Sequence, residues 1–169
     1  SGLIWHTQGS GKTLTMLFAA WKLKRLTQLE NPTIIVVVDR IELETQLGTT
    51  FENVDLPYTD RAKSIGDLIS KIKRDTRDVL ITTVQKFQGI EEALSKRENI
   101  IVFIDEAHRT QYGELGISMR NALPNAIIFG LTGTPIEKGP LGKSTFRTFC
   151  PAGETYLDRY SVKQSIEDG

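Results

Sequence analysis

Apolar runs alternate with amphipathic stretches along most of the chain. Five runs are apolar throughout, which is typical of strands covered on both faces of a parallel sheet. These predicted strands are Leu3–Trp5, Thr33–Val38, Val79–Thr83, Ile100–Ile104 and Ala126–Gly130. Helices are predicted to end near Leu26, to begin after Asp39, and to lie at 65–72, 90–98 and 114–122. The alternation predicts an α/β fold, a three-layer αβα domain with a mainly parallel sheet.

Helix ends and loops can also be predicted from the pattern. The first helix has one apolar face at helical spacing, formed by Leu14, Leu17, Phe18 and Trp21. Asp39, with Glu42 three residues later, is expected to be the N-cap of the next helix. Residues 48–63 are polar and contain Pro57, so we expect a loop. Residues 137–169 are rich in Gly, Pro and charge, so we expect an extension or linker after a domain spanning 1–136.

The segment His6–Thr13 follows the first predicted strand and opens into the first helix. Gly9 and Gly11 allow successive backbone N–H groups to point into one concavity, beside the positive end of the helix dipole. Lys12 can reach the terminal phosphates of a nucleotide, and the Thr13 hydroxyl can bind Mg²⁺. The strict phosphate-loop pattern has glycine where this chain has His6, so a chance glycine turn is the alternative, and a second, carboxylate-bearing motif is needed.

Such a motif, Asp105–His108, follows the fourth predicted strand. Asp105 supplies the oxygen ligand that the Mg²⁺ of a nucleotide requires, and Glu106 can orient an attacking water. The alternative is that Asp105 caps a helix and Glu106 is solvated surface. His108 by itself is ambiguous, since a lone histidine is more often a structural hydrogen-bonding residue than a catalytic group, and its spacing from Asp105 is too short for a zinc site.

A third polar turn, Thr132–Pro135, follows the fifth predicted strand, and its hydroxyls could sense the γ-phosphate or belong only to a strand exit. Because ligands bind at the carboxyl ends of strands in an open parallel sheet, we expect all three motifs to converge on one edge.

Composition leaves the class of partner open. The 169 residues contain 21 basic and 21 acidic side chains, so net charge indicates neither nucleic acid nor its absence. Cys150 is the single cysteine and cannot form an internal disulfide. No run has the length of a membrane span, and we expect no membrane partner. The chain starts at Ser1, directly before a strand, so we expect it to be a piece of a longer protein.

Together these motifs resemble a known family. Gly9–Thr13, Asp105–His108 and Thr132–Pro135 are similar, in this order, to motifs I, II and III of superfamily 2 helicases and translocases. The chain further resembles the restriction (motor) subunit of type I restriction-modification enzymes. The segments that carry this resemblance are Leu3–Thr13, Val38–Arg40, Gln46–Leu47, Thr82–Phe87, Tyr160–Gln164 and Ile166–Gly169.

The resemblance implies a RecA-like P-loop NTPase domain that uses ATP and Mg²⁺. It implies nucleotide contacts by Thr7, Gln8, Gly9, Ser10, Gly11, Lys12, Thr13, Thr132 and Thr134. It implies Mg²⁺ binding by Thr13 and Asp105, and catalytic roles for Lys12, Asp105, Glu106 and His108. It also implies contacts to DNA, at phosphate rather than at bases, by Asp39, Arg40, Thr82, Thr83, Gln85 and Lys86. For these last residues an N-cap or an ordinary strand end is the competing interpretation.

The expected function is the first motor domain of an ATP-driven double-strand DNA translocase whose parent protein also cleaves DNA. The implied partners are double-stranded DNA, a second RecA-like domain of the same polypeptide, and modification and specificity subunits, in a prokaryotic cytoplasm. Because the second domain supplies an arginine to the ATP site, we expect the 169 residues alone to hydrolyse ATP poorly. Two alternatives are another superfamily 2 helicase acting on RNA or DNA, and a nucleotide-gated binding module with little hydrolysis.

Overall fold

The computed structural model describes residues 1–7, 11–52, 59–107, 114–134, 149–150 and 156–160. The strands are β1 (Gly2–His6), β2 (Thr33–Val38), β3 (Thr59–Arg61), β4 (Val79–Thr83), β5 (Ile100–Ile104), β6 (Ile127–Thr132) and β7 (Asp158–Tyr160). The helices are α1 (Lys12–Arg25), α2 (Ile41–Glu52), α3 (Ile65–Lys73) and α4 (Glu114–Ala122), with 3-10 turns at Thr27–Leu29 and Val84–Phe87.

The described strands form one sheet in the order β3-β4-β2-β5-β6-β1-β7, and every described pair is parallel. Each residue of β2, β4 and β5 is buried. This explains their uninterrupted apolar or β-branched character, since helices cover both faces of the sheet. The predicted α/β class and the predicted parallel sheet are therefore confirmed.

Alternate residues of each central strand belong to two separate cores. Ile34, Val36 and Val38 face α1 and α2, whereas Ile35 and Val37 lie in the core that includes α3 and α4. The sheet is therefore the middle of three layers, as the sequence predicts. No helix in the described part of the chain is both long and apolar enough to span a bilayer.

The apolar face predicted for α1 is mostly not its buried face. Of that set only Leu17 is buried, whereas Leu14, Phe18 and Trp21 are 51%, 61% and 39% exposed. The helix packs on the sheet through Met16, Leu17 and Ala20 instead. The largest apolar side chains of α1 therefore lie beside the face that packs on the sheet.

Two predictions about secondary structure are also wrong. The predicted loop at 48–63 contains the end of α2 and the short strand β3, because buried Leu47 and Phe51 hold α2 against the sheet. The predicted helix at 90–98 is irregular, because the amides of Leu94 and Ser95 donate to the carbonyl of Ala122 at the end of α4. A tertiary hydrogen bond thus replaces the helical one.

The predicted N-cap at Asp39 is one residue too early. Arg40 directly precedes α2, and its carbonyl accepts the amide of Glu44. Two described parts of 137–169 pack on the domain: Phe149 lies in one core, and β7 pairs with β1. The division of the chain at residue 136 stays a prediction.

Candidate active site

The sheet order brings the three predicted motifs to one edge. β6 lies between β1 and β5, so the carboxyl ends of these strands are neighbours. Thr7 follows β1, Asp105 follows β5, and Thr132 ends β6. Because all three strands are parallel, the polar residues at their carboxyl ends lie at the same end of the sheet. The expected convergence of the motifs is therefore what the topology produces.

The start of α1 is built for close approach of an anion. Gly11 precedes the helix with φ of 77° and ψ of 24°, a left-handed conformation that favours glycine. Its carbonyl accepts the amide of Thr15 at 2.9 Å, and it has no side chain that could cap the helix. The first N–H groups of α1 and the positive end of its dipole therefore face the site, which is the arrangement that binds phosphate.

Lys12 is held inside the site rather than extended into solvent. Its side chain is only 9% exposed, and Nζ donates to the carbonyl oxygen of Thr7 at 3.3 Å. The same ammonium lies 3.9 Å from Oε1 of Glu106. Two motifs that are separated by most of the chain thus meet at one cation.

The turn after β5 is fixed to the strands on both sides. The amide of Asp105 donates to the carbonyl of Val37 in β2, and the amide of Ala107 donates to that of Leu131 in β6, each at 2.9 Å. Between them Glu106 adopts a left-handed φ of 49°, and its amide donates to Oδ1 of Asp105 at 3.0 Å. Residues 105–107 form a turn, so no helix starts at Glu106 for Asp105 to cap.

The electrostatics of this turn favour a bound cation. Burial, and then the negative charge of Glu106, raise the pKa of Asp105, while its bond to the Glu106 amide and the charge of Lys12 oppose the shift. Asp39 adds a further negative charge. A divalent cation at Asp105 would offset this excess of negative charge.

The residues present fit Mg²⁺. Asp105 offers a carboxylate and Thr13, exposed in the first turn of α1, offers a hydroxyl. Both are hard oxygen donors, and two protein ligands leave the other positions of an octahedral ion to phosphate and water.

Thr132 and Gly130 shape the third side of the site. Thr132 is fully buried, and its Oγ1 accepts the amide of exposed Thr134 at 3.1 Å. A Cβ at Gly130 would lie 2.9 Å from the Cβ of Ala107 and 3.1 Å from Leu3. Glycine at this position therefore lets the acidic turn pack closely over β6 and β1.

The predicted DNA contacts lie at the carboxyl ends of β2 and β4, and they differ in exposure. Arg40 and Gln85 are exposed, whereas Thr82, Thr83 and Asp39 are 0%, 3% and 6% exposed. The buried residues support the loops from within, and the exposed ones are available for contact.

Sequence reasoning missed a contact between helix α2 and the 3-10 turn that follows β4. Lys86 Nζ lies 2.6 Å from Oε1 of Glu44, with side chains 15% and 9% exposed. In addition, Gln85 Nε2 donates to the carbonyl of Asp39 at 2.9 Å. Only the charge of Glu44, on the buried face of an otherwise apolar stripe, could have signalled a partner. Of the predicted site residues, Gln8, Gly9, Ser10 and His108 lie outside the described residues.

Comparison with protein families and curated proteins agrees with this geometry. The family model described as SWI2/SNF2 ATPase matches residues 1–169. The chain is 38% identical to the putative type I restriction enzyme MjaIXP endonuclease subunit of Methanocaldococcus jannaschii, over 99% of this chain and 16% of that protein. It is 39% identical to the type I restriction enzyme HindI endonuclease subunit of Haemophilus influenzae, over 99% of this chain and 17% of that protein.

A third relative is the type I restriction enzyme SsaAORF53P endonuclease subunit of Staphylococcus saprophyticus, which is 34% identical over 100% of this chain and 18% of that protein. The resemblance to type I restriction enzymes is therefore confirmed. The chain spans only 16–18% of the length of these three curated relatives.

Two solved structures share the fold. A nuclease-deletion mutant of the type ISP restriction-modification enzyme LlaGI, in complex with a DNA substrate mimic, matches with a TM-score of 0.66 and 18% identity, covering 99% of this chain and 18% of that one. The Hef helicase domain of Pyrococcus furiosus matches with a TM-score of 0.65 and 20% identity, covering 97% of this chain and 36% of that one. These likenesses confirm the RecA-like architecture.

Proposed function

Because the chain belongs to the SWI2/SNF2 ATPase family, we propose that it is the first motor domain of an ATP-driven translocase on double-stranded DNA. The observation that carries the proposal is the meeting of Lys12 and Glu106, 3.9 Å apart, beside half-buried Asp105. A lysine for phosphate, a carboxylate for Mg²⁺ and a second carboxylate for water are what ATP hydrolysis requires.

Each residue then has a definite part in the reaction. The N–H groups after Gly11 and the ammonium of Lys12 bind the phosphates and neutralise charge that develops on the transferred group. Asp105 and Thr13 would hold Mg²⁺, which would supply electrostatic stabilisation of the negative charge on the phosphates. Glu106 orients a water and accepts its proton. The water oxygen bonds to the γ-phosphorus while the bond to the β-phosphate oxygen breaks, giving ADP and phosphate.

The position of Glu106 supports this role. Its left-handed backbone places it between a hydrogen-bonded Asp105 and an anchored Ala107, so the turn cannot relax without losing bonds to β2 and β6. Strained backbone that its surroundings hold in place is frequent at functional residues. The proposal further assigns His108, Thr132 and Thr134 to the coupling of nucleotide state to movement.

DNA would bind along the edge that the loops after β2 and β4 form. Arg40 is 61% exposed, and Gln85 is also exposed, which supports contacts to phosphate. Asp39, Thr82 and Thr83 are buried, so in this proposal they shape the loops. Lys86 contributes fully only when its pairing with Glu44 is released.

Activities of the whole protein are part of the proposal. The relatives are called endonuclease subunits, and the chain corresponds to less than a quarter of each of the three described above. We place DNA cleavage, contacts to modification and specificity subunits, and a second RecA-like domain elsewhere in the parent polypeptide or its complex. We accordingly expect weak hydrolysis by the 169 residues alone, in a protein that works in a prokaryotic cytoplasm.

Phosphate release by the full-length protein tests this function. The expected result is stimulation by linear double-stranded DNA, with ATP consumption per DNA end that rises with DNA length, because translocation uses ATP at each step. Stimulation by RNA or single strands instead of duplex would assign another helicase activity. Nucleotide binding without turnover under any of these conditions would contradict a motor.

A further inference from the structure

The short strand β7 lies directly beside the strand that leads into the phosphate loop. Ile4, Trp5 and His6 of β1 pair with Asp158, Arg159 and Tyr160 of β7. Before the strand starts, the amide of Leu157 already donates to the carbonyl of Leu3 at 2.7 Å. A segment far along the chain thus forms the neighbour of β1 on the side away from β6.

Three side-chain contacts accompany this backbone pairing. His6 Nε2 lies 2.9 Å from Oδ2 of Asp158, and because a carboxylate oxygen accepts, Nε2 is the donor. The guanidinium of Arg159 lies 4.3 Å from the centre of the Trp5 ring, within the range of a cation–π contact. The ring of Tyr156 meets Trp5 edge to face, with centroids 6.1 Å apart.

His6 connects these contacts to the nucleotide site. It is the last residue of β1 and precedes Thr7, whose carbonyl accepts the ammonium of Lys12. The His6 side chain is 13% exposed, while that of Asp158 is 68% exposed. His6 therefore lies mostly within the domain, whereas Asp158 contacts it from the solvent-exposed side.

We propose that His6 and Asp158 are positioning residues that couple occupancy of the phosphate loop to attachment of β7. The inference rests on the proposed ATPase function and concerns how that site communicates with the rest of the polypeptide. When phosphate draws Lys12 away from the Thr7 carbonyl, the end of β1 changes its hydrogen bonding, and His6 transmits this change to Asp158. Residues 137–169, which contain β7, are the predicted extension toward the second motor domain.

Thermodynamic linkage makes the coupling between nucleotide binding and β7 attachment measurable. If nucleotide strengthens the attachment of β7, then attachment of β7 must strengthen nucleotide binding by the same factor. The contact is exposed on one side only, so Asp158 can be replaced without opening a core. The backbone bond from Leu157 to Leu3 supplies a reporter, since its amide exchanges with solvent only when β7 detaches.

The experiment measures hydrogen exchange at the Leu157 amide in the full-length protein, with and without a non-hydrolysable ATP analogue. In the wild type we expect the analogue to slow exchange about fivefold or more, the lower range of coupling between sites. Asp158→Ala should abolish this slowing and weaken analogue binding about fivefold. Asp158→Asn keeps an oxygen acceptor for His6, so it should restore both the slowing of exchange and the affinity for the analogue. An effect of lost negative charge alone would instead be the same in the two variants.

Glu92→Ala is the matched control, because it breaks a 2.8 Å exposed pair with Lys73, remote from the phosphate loop. It should leave exchange and affinity unchanged. Equal exchange with and without bound analogue, or wild-type affinity in Asp158→Ala, would overturn the coupling while leaving the ATPase intact. A wild-type protein that does not bind the analogue would overturn the proposed function and this inference together.

Discussion

The ammonium of Lys12 lies between the Thr7 carbonyl, at 3.3 Å, and the Glu106 carboxylate, at 3.9 Å. The lysine that should bind phosphate is thus directed at the residue that should activate water. In the proposed function a phosphate would take the lysine from these partners and leave Glu106 to face the γ-phosphate. The two halves of the site therefore share the ammonium of Lys12.

Asp105→Asn should stabilise the protein while abolishing Mg²⁺-dependent hydrolysis. Burial is the largest cause of the raised pKa of Asp105. A raised folded-state pKa gives stability that is fully present below the unfolded pKa and is lost as pH rises through the folded value. Above the folded-state pKa the ionised carboxylate has lost that stability, whereas asparagine carries no charge to bury.

Thermal unfolding of the 169-residue chain tests this. We expect Tm to rise at neutral pH, by about 2–4 °C for each kcal/mol of stability gained in a domain of this size. The gain should shrink as the pH falls and Asp105 is protonated. The exposed carboxylate of Glu91, which lies outside any helix or strand, provides the control, since Glu91→Gln should leave Tm unchanged at neutral and at acidic pH. A lower Tm for Asp105→Asn would show that its hydrogen bonds outweigh its desolvation.

Glu44→Gln should strengthen DNA binding by releasing Lys86. The pair is 2.6 Å long and largely buried, so Glu44 neutralises the one lysine among the predicted DNA contacts. Once released, the ammonium can contact a phosphate and displace about one counterion, which steepens the salt dependence of log K by about 0.9.

Titration of duplex DNA over a range of salt concentrations measures this slope for the full-length protein. Glu42→Gln removes the same charge from the same helix at an exposed position, so it separates loss of net charge from release of Lys86. Equal slopes for the two variants would assign Lys86 a structural role only. A lower DNA affinity in Glu44→Gln than in the wild type would mean that the Glu44–Lys86 pair maintains the shape of the DNA-binding loops.

Leu17 and Leu14 provide a matched pair for the packing of α1. Leu17 is 2% exposed in the core beneath the helix, whereas Leu14 is 51% exposed. Leu17→Ala should lower the free energy of unfolding by about 2–5 kcal/mol because it leaves a cavity. Leu14→Ala should change it by less than about 0.5 kcal/mol. Denaturant unfolding of both variants measures the difference, and similar losses would mean that the sequence-based apolar face is the packed one.

The central sheet and the acidic turn could be predicted because local pattern and burial agree there. Every residue of β2 is buried, so its apolar run has one interpretation, and Asp105 follows such a run directly. By contrast β3 and β7 are three-residue polar strands that exist because a neighbouring strand offers hydrogen bonds. Nothing in their own sequence indicates a strand.

Side-chain pairs between distant parts of the chain could not be predicted either. Glu44 and Lys86 are 42 positions apart, and His6 and Asp158 are 152 positions apart, so no helical or strand period relates them. The exposure of Trp21 in α1 could not be inferred from hydrophobicity, because hydrophobicity does not reveal that Arg25 covers its ring. The guanidinium carbon of Arg25 lies 3.7 Å from the ring centre. Spacing identifies which residues share a face, and packing decides which face is covered.

Glu106→Gln in the full-length protein, assayed with duplex DNA, tests the central claim most directly. The amide removes the base and the charge beside Lys12 while keeping the shape of the side chain. We predict ATP binding at least as tight as in the wild type and steady-state turnover lower by about 10²–10⁴-fold, the usual contribution of a general base. Turnover at the wild-type rate would contradict the assignment of Glu106 and with it the proposed hydrolytic motor.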